Sequence, residues 1–339
     1  MVRLIVLSDL PTIVAYRNDE DVARYQDWDL PVAIERFASR PLPVGPLTAG
    51  WIGNLAIEVD GRLAGDLYVG VDADGSGAVI GFTLDPSATG RGVATRAAGL
   101  VVDRLFAAGL HRVTATCDPE NRASMRVLER LGFRHEARTV ESAFIRGEWV
   151  DDECFALLAR DRQEWLERPR TAPEALELIE IAEDNAHLVG RLVTHKSQES
   201  FVSPMRLTFR DALYPESIAL DYPGESQQRL PVVPWSRAIV ADGVVAGFIL
   251  MAGAPPIGPH NEPYLWRLLV DRRQQGRGIG ARAMRSLVDF WHDLGHDTML
   301  TSWVPDLPGT PEPFYRRFGF VPTGDIDDGE VVARWTRPA

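Results

Sequence analysis

The chain has 339 residues, 45% hydrophobic and 25% charged, the balance of a soluble globular protein long enough for two domains that each bury a core. A net charge of −12 argues against a nucleic-acid partner, because phosphate binding needs a basic surface, and it suits a cationic or neutral small substrate. No apolar run is long enough to span a membrane, the residues from Met1 read as a strand and not a signal peptide, and Cys117 and Cys154 form no CxxC pair, so we expect a reduced, cytoplasmic protein without a membrane partner.

In chain order, Ile52 to Val59 and Leu63 to Val71 are predicted strands joined by the turn Asp60-Gly61. A third strand, Ala78 to Leu84, is stopped by Asp85-Pro86, and a glycine loop follows. Ala98, Val101, Val102 and Leu105 then recur at i, i+3, i+4 and i+7, one apolar helix face, and Gly109 closes that helix. His111 to Cys117 is the next strand, Asn121 to Leu131 a helix ending at Gly132, and Phe133 opens strands running to about Arg160.

Residues 166–175, with Pro169 and Pro173 among charges, read as a linker between domains 1–165 and 176–339. A new strand pattern starts at Leu176. Ala238-Ile239-Val240 and Val244 to Met251 flank the turn Asp242-Gly243, and Tyr264 to Val270 precedes a second glycine loop. Met284, Leu287, Val288 and Trp291 form the next helix face, Thr298 to Val304 a strand, and Pro313 to Phe318 a short helix before Gly319. Segment 197–237 has no clear hairpin and is expected to place helices and loops over the sheet, where a substrate pocket would be built.

The plan is therefore duplicated. Gly90-Arg91-Gly92-Val93-Ala94 reappears as Gly276-Arg277-Gly278-Ile279-Gly280, and Leu131-Gly132-Phe133 as Phe318-Gly319-Phe320. From the first glycine of the loop to the glycine of the second motif is 42 residues in one copy (132 minus 90) and 43 in the other (319 minus 276). Two loops followed by the same landmark at the same distance mark two copies of one domain.

Strand, glycine loop and helix make a pyrophosphate cradle: successive backbone N–H groups turn toward one point, and the helix N-terminus adds positive potential. A nucleotide-triphosphate P-loop needs GxxxxGK[ST], and no lysine follows either loop. A dinucleotide fold needs its glycines after the first strand of an alternating βαβ unit, whereas here several hairpin strands come first. Acyl coenzyme A is the third ligand class.

Both copies resemble the GNAT superfamily of acyl-CoA N-acetyltransferases, whose motif A is Gln/Arg-x-x-Gly-x-Gly/Ala. Gln275-Gly276-Arg277-Gly278-Ile279-Gly280 fits at every position; Thr89-Gly90-Arg91-Gly92-Val93-Ala94 departs at Thr89. Residues 1–165 resemble the ribosomal-protein N-terminal acetyltransferases (RimJ/RimL-like) in Val22 to Trp28, Asn121-Arg122-Ala123-Ser124 and Arg146 to Asp152. Residues 176–339 resemble the spermine/spermidine (diamine) acetyltransferases in Glu199 to Val202, Trp266 to Asp271, Phe314 to Phe320 and the tail Thr323 to Val332. The resemblance implies an α/β (α+β) fold class, with two GNAT folds in tandem, each a mixed, mostly antiparallel twisted sheet flanked by helices. It also implies acetyl-CoA as co-substrate, a small-molecule primary amine as acceptor, and either a monomer of two pseudo-symmetric domains or a homodimer.

Acetyl transfer needs a neutral amine, a stabilised carbonyl oxygen and a proton for the departing thiolate. An alkylamine of pKa about 10.4 must lose a proton near pH 7, to a base that often acts through water. In the family a splayed strand before the loop offers a backbone N–H to the thioester oxygen, here Trp266 to Val270, including Leu268, Leu269 and Val270, or Val79 to Leu84. Tyr315, four residues before Gly319, holds the family position of the tyrosine that protonates the CoA sulfur. Glu199 and Glu262 are the candidate bases.

In the first copy Leu128 takes the tyrosine position. There the family's asparagine, Asn121, would contact the CoA arm and Ser124 would serve as acid, although Asn121 also suits a helix N-cap. The family's base falls near Ala143, and Glu141, two residues earlier, is assigned to the same strand face. His292 and His296 have metal-ligand spacing, but Gly295 intervenes and no third ligand is apparent, so no metal is expected. The leading reading is a polyamine-like, amino-sugar or amino-acid acceptor acetylated in the C-terminal domain. The alternatives are catalysis in the N-terminal domain on a peptide N-terminus or amino sugar, or one copy acting as a non-catalytic CoA-binding regulatory or scaffold domain.

Overall fold

A computed structural model describes residues 1–35, 45–213, 234–253 and 262–338. In the first half, strand β1 (Val2–Leu4) leads through helices α1 (Leu10–Arg17) and α2 (Glu20–Ala23) to β2 (Ile52–Val59), β3 (Arg62–Val71) and β4 (Gly77–Leu84). Helix α3 (Val93–Ala107) crosses to β5 (Arg112–Cys117), and α4 (Arg122–Leu131) precedes the hairpin β6 (Arg134–Ile145) and β7 (Glu148–Leu158). Helix α5 (Ala159–Glu167) fills the stretch between the strands expected to run to about Arg160 and the linker expected from residue 166. It is held by Arg162 on Asp103 at 2.8 Å and by Trp165 Nε1 donating to the Arg130 carbonyl at 3.0 Å.

The second half repeats the plan with β8 (Leu176–Ile179), α6 (Ala186–Val189), α7 (Met205–Leu213), β9 (Trp235–Ala241), β10 (Val244–Met251), β11 (Tyr264–Val270), α8 (Ile279–Asp293), β12 (Thr298–Trp303), α9 (Glu312–Arg317), β13 (Val321–Asp327) and β14 (Glu330–Thr336). Helix α7 and a turn at Lys196–Gln198 fall in the segment expected to cover the sheet, whose residues 214–233 lie outside the described residues. Contacts divide the chain into two compact units, Met1–Glu167 and Arg168–Ala339.

Strand order is β1-β2-β3-β4-β5-β7-β6 in one unit and β13-β14-β12-β11-β10-β9-β8 in the other, the same topology read from opposite ends. Each sheet is antiparallel except for one parallel pair, β4 with β5 or β11 with β12, joined by the long helix. Asp60-Gly61 and Asp242-Gly243 take the left-handed conformation that two-residue hairpin turns require, with φ of 49° and 75° in one and 50° and 77° in the other. The expected helix faces pack on the sheets: Ala98, Val101, Val102 and Leu105 in one core, Met284, Leu287 and Trp291 in the other, all buried.

The parallel pairs position the sites. Strand β4 pairs with β5 only from Gly77 to Val79, and β11 with β12 only at Tyr264 and Leu265. Each strand runs on past its last pair, so the sheet splays into a V. The glycine loop follows the arm formed by β4 or β11.

Candidate active site

Gly278 takes φ 75° and caps α8 from the left-handed region, and Gly276 has φ 80°. Only glycine adopts these angles without strain, and the resulting turn directs consecutive N–H groups outward at the start of a fifteen-residue helix. Gln275 anchors the loop, its Nε2 donating to the Val270 carbonyl at 3.0 Å and to Gln198 Oε1 at 2.9 Å. Beside the loop opens a cavity of about 670 Å³ whose wall includes Glu199, Leu268, Leu269, Val270, Gln275, Gly276, Gly278, Ile279, Gly280 and Tyr315. The sequence-derived loop, strand and tyrosine thus meet at one space.

Tyr315 is 8% exposed and stacks on Trp303, with Phe320 edge-on. Burial pushes its phenol up to about 12; the Thr301 hydroxyl works the other way and the Glu330 charge adds to the rise. The phenol is therefore protonated throughout the physiological range. Glu199 is ion-paired with Lys196 at 2.9 Å. Glu330, which sequence reasoning did not single out, also faces the cavity and accepts from the Ser302 hydroxyl, another unanticipated wall residue.

Two C-terminal candidates lie elsewhere. The side chain of Arg277 is 4% exposed and turned away from the cavity, with Nη2 on Asp242 at 2.7 Å and Nε donating to the Thr171 carbonyl at 2.9 Å. Glu262 is not on the wall; Arg334 grips it through two oxygens at 2.7 and 2.8 Å. Burial works to raise the Glu262 pKa, but hydrogen bonds from Arg334 and Thr298 and the Arg334 charge together outweigh it and hold the carboxyl below its usual range.

In the N-terminal unit a cavity of about 850 Å³ lies under the splayed strands, lined by residues such as Trp28, Asp66, Tyr68, Thr83, Cys117 and Asp152. The loop Thr89-Gly90-Arg91-Gly92-Val93-Ala94 does not line it, nor do Leu84, Asn121, Ser124 and Glu141. Gly90 and Gly92 both have φ 71°, Thr89 Oγ1 donates to the Pro86 carbonyl at 2.8 Å, and Arg96 donates to the Arg91 carbonyl at 3.1 Å. Asn121 is the N-cap of α4, accepting from the Ser124 N–H at 3.0 Å. Burial raises the Cys117 thiol to about 12, against a hydrogen bond from the Ser124 side chain.

Glu141 is not on the face assigned to it. The register of β6 breaks between Thr139 and Ala143, Glu141 itself has φ 50°, and its N–H donates to Asp151 Oδ1 at 2.8 Å. A bulge cancels the alternation that would have placed it beside Ala143, which does line the cavity. The centre missed by sequence reasoning is Asp66, 1% exposed, which receives Tyr16, Asn54 and, at 2.7 Å, Arg17. Its only sequence signal is a carboxylate inside an otherwise apolar strand. Among the described residues no group of three or more His, Cys, Asp or Glu is arranged to hold a metal, and His292 bonds Asp297 at 3.0 Å.

Glycine loop, helix N-terminus and strand V converge on one cavity in the C-terminal unit, a layout suited to a pyrophosphate-bearing ligand. Residues 1–134 match the model of the acetyltransferase (GNAT) domain and residues 198–320 that of the acetyltransferase (GNAT) family; together they cover well over half of the chain, which belongs to the GNAT acetyltransferases. YjcK of Bacillus subtilis, a probable N-acetyltransferase, is 41% identical over 88 residues, 26% of this chain and 49% of that protein, so the chain spans about half the length of this curated relative. Among solved structures, Mycobacterium smegmatis RimJ in complex with CoA-disulfide is 27% identical, covering 47% of this chain and 82% of that one, with a TM-score of 0.39. Vibrio cholerae spermidine N-acetyltransferase in complex with CoA and spermine is 18% identical, covering 48% and 97%, with a TM-score of 0.42. No helix among the described residues is long and apolar enough to cross a membrane.

Proposed function

We propose that the protein is an acetyl-CoA-dependent N-acetyltransferase that moves an acetyl group to a primary amine of a small, polyamine-like, amino-sugar or amino-acid molecule, and that the chemistry takes place in the C-terminal unit. The observation that carries this is the shared cavity: motif A, the splayed strand and Tyr315 all line it. The open edge of Trp266 to Val270 and the N–H groups of the loop fit the two polar ends of such a donor, and Leu268, Leu269 and Ile279 supply apolar wall between them.

Acetyl-CoA supplies an activated thioester carbonyl. The loop N–H groups and the N-terminus of α8 hold its pyrophosphate. The unpaired strand edge past Leu265 gives an N–H to the carbonyl oxygen as charge develops there. Glu199 or Glu330 takes the first proton of the ammonium group, and the freed lone pair forms the N–C bond. The C–S bond breaks, the Tyr315 hydroxyl protonates the leaving sulfur, and the second amine proton restores the phenol. One proton is released to solvent for each amide formed from an ammonium ion.

A thiol-release assay of the full chain with acetyl-CoA tests this against amines, polyamines, amino acids, aminoglycosides and short peptides. Turnover on one class of small amine is the expected result. Coenzyme A binding without turnover on any amine would contradict it and favour a regulatory role.

A further inference from the structure

The C-terminal cavity crosses its sheet from one face to the other. Tyr264, Leu300 and Val332 pack together on one face of β11, β12 and β14, while Trp303, Ala333 and Tyr315 pack with α8 on the other. Ser302 lies opposite Val332 in the β12–β14 ladder, and Glu330 stands two residues before Val332, so both share its face. Ser302 and Glu330 from that face, and Phe314 and Tyr315 from the helix face, line one space where β11 and β12 part.

The glycine loop, α8 and Tyr315 place the acyl donor on the helix face. An amine that reaches the thioester carbonyl from the opposite face needs its base there, within hydrogen-bond reach of the nitrogen. Among the described residues the carboxylates on the cavity wall are Glu199 and Glu330. Glu199 stands at the loop end, because its neighbour Gln198 accepts from Gln275 at 2.9 Å, and it is itself held by Lys196 at 2.9 Å. Glu330 has no ion pair among the described residues. Its Oε2 accepts from the Ser302 hydroxyl, which leaves Oε1 to take a proton. Ser302 is also hydrogen-bonded to Tyr264, 7% exposed, so the serine is braced from behind. The charge on Glu330 is felt by the Tyr315 phenol across the split, which puts the two groups within electrostatic reach of one reacting centre.

We propose that Glu330 is the base of the acetyl transfer, and that Ser302 is the positioning residue that fixes its carboxylate at the split. The assignment rests on the reading that acetyl transfer takes place in the C-terminal unit. Glu330 Oε1 takes one proton from the ammonium nitrogen, and the freed lone pair forms the N–C bond. The C–S bond breaks on the helix face, where Tyr315 protonates the sulfur and regains a proton from the nitrogen. The proton on Glu330 passes to solvent, which restores the carboxylate.

The test is the pH profile of kcat/KM for one acetylated amine, taken with the full chain between about pH 5.5 and 9.5. Glu330→Gln is expected to fall about 10²–10³-fold near neutral pH and to recover toward high pH, where the free amine itself becomes abundant. Ser302→Ala removes a hydrogen bond that favours the charged carboxylate, so its acid limb should move to higher pH. Its kcat should drop about tenfold through lost orientation, while the coenzyme A Kd stays within about twofold of wild type. Ser302→Thr keeps the hydroxyl and should return the limb, and Glu199→Gln should retain it. An acid limb that disappears in Glu199→Gln and persists in Glu330→Gln, or one that Ser302→Ala leaves in place, would overturn this assignment alone. Wild-type turnover on no amine would defeat the acetyltransferase reading itself, and this assignment with it.

Discussion

The rings of Trp303 and Tyr315 lie nearly parallel, 11° apart, with centroids 5.9 Å from one another, so the side chain proposed to donate a proton is also a packed member of the core. The two roles are separable. Tyr315→Phe keeps the stack and loses only the hydroxyl, so its unfolding free energy should stay within about 1 kcal/mol of wild type. Tyr315→Ala empties the site and should cost about 3–5 kcal/mol. Urea unfolding of the two variants checks the difference.

Gly247 in β10 and Gly65 in β3 solve the same problem in the two units. A Cβ at Gly247 would stand 2.4 Å from the Leu269 carbonyl oxygen, and one at Gly65 would stand 2.3 Å from that of Thr83. Both contacts are with the backbone of the strand that forms one arm of the V. Gly247→Ala should therefore push β11 outward, lowering stability by about 1–3 kcal/mol and weakening coenzyme A binding. Thermal melts and calorimetry report the two effects.

Arg277 lies within motif A, but its guanidinium ties the loop to Asp242 and to the Thr171 carbonyl. Removing it takes the Arg277 donor from the Thr171 carbonyl and from one oxygen of the partly exposed Asp242, whose other oxygen still accepts from the Ala175 N–H. Arg277→Ala should lose about 1–3 kcal/mol of stability. Coenzyme A affinity, measured well below the melting temperature, should change by less than about threefold.

His195 sets an acid-side dependence. Burial lowers its pKa from 6.5 to about 4, Arg272 and Arg168 push the same way, and Asp271 opposes them. The unfolded chain takes up this proton near pH 6.5 and the folded chain not until about pH 4. Stability is thus fully present above pH 6.5 and declines as pH falls toward 4, by on the order of 3 kcal/mol. His195→Gln should flatten that part of the profile, read as the difference between variant and wild type in urea unfolding from pH 7 down to pH 4.5.

The repeat was legible because its signals are local. Asp-Gly turns, apolar faces at helical spacing and two glycine loops each depend on neighbours in sequence, and they reappear in the second copy. Tyr315 was legible for a related reason, standing at a fixed distance from Gly319. Glu330 was not, since a carboxylate after Asp328-Gly329 reads as a hairpin tip; the pairing of Trp303 with Val331 is what brings it to the cavity. The network around Asp66 joins α1, β2 and β3, which no local pattern connects. Glu141 shows the opposite failure, a correct strand with one bulge that reverses its facing.

The most direct measurement is kcat/KM for one acetylated amine with acetyl-CoA, taken side by side for wild type, Tyr315→Phe and Ser124→Ala. Tyr315→Phe is expected to fall about 10²–10⁴-fold while Ser124→Ala stays within about twofold of wild type. A Tyr315→Phe enzyme as fast as wild type, with the loss appearing in Ser124→Ala, would move the chemistry to the N-terminal unit and contradict the assignment.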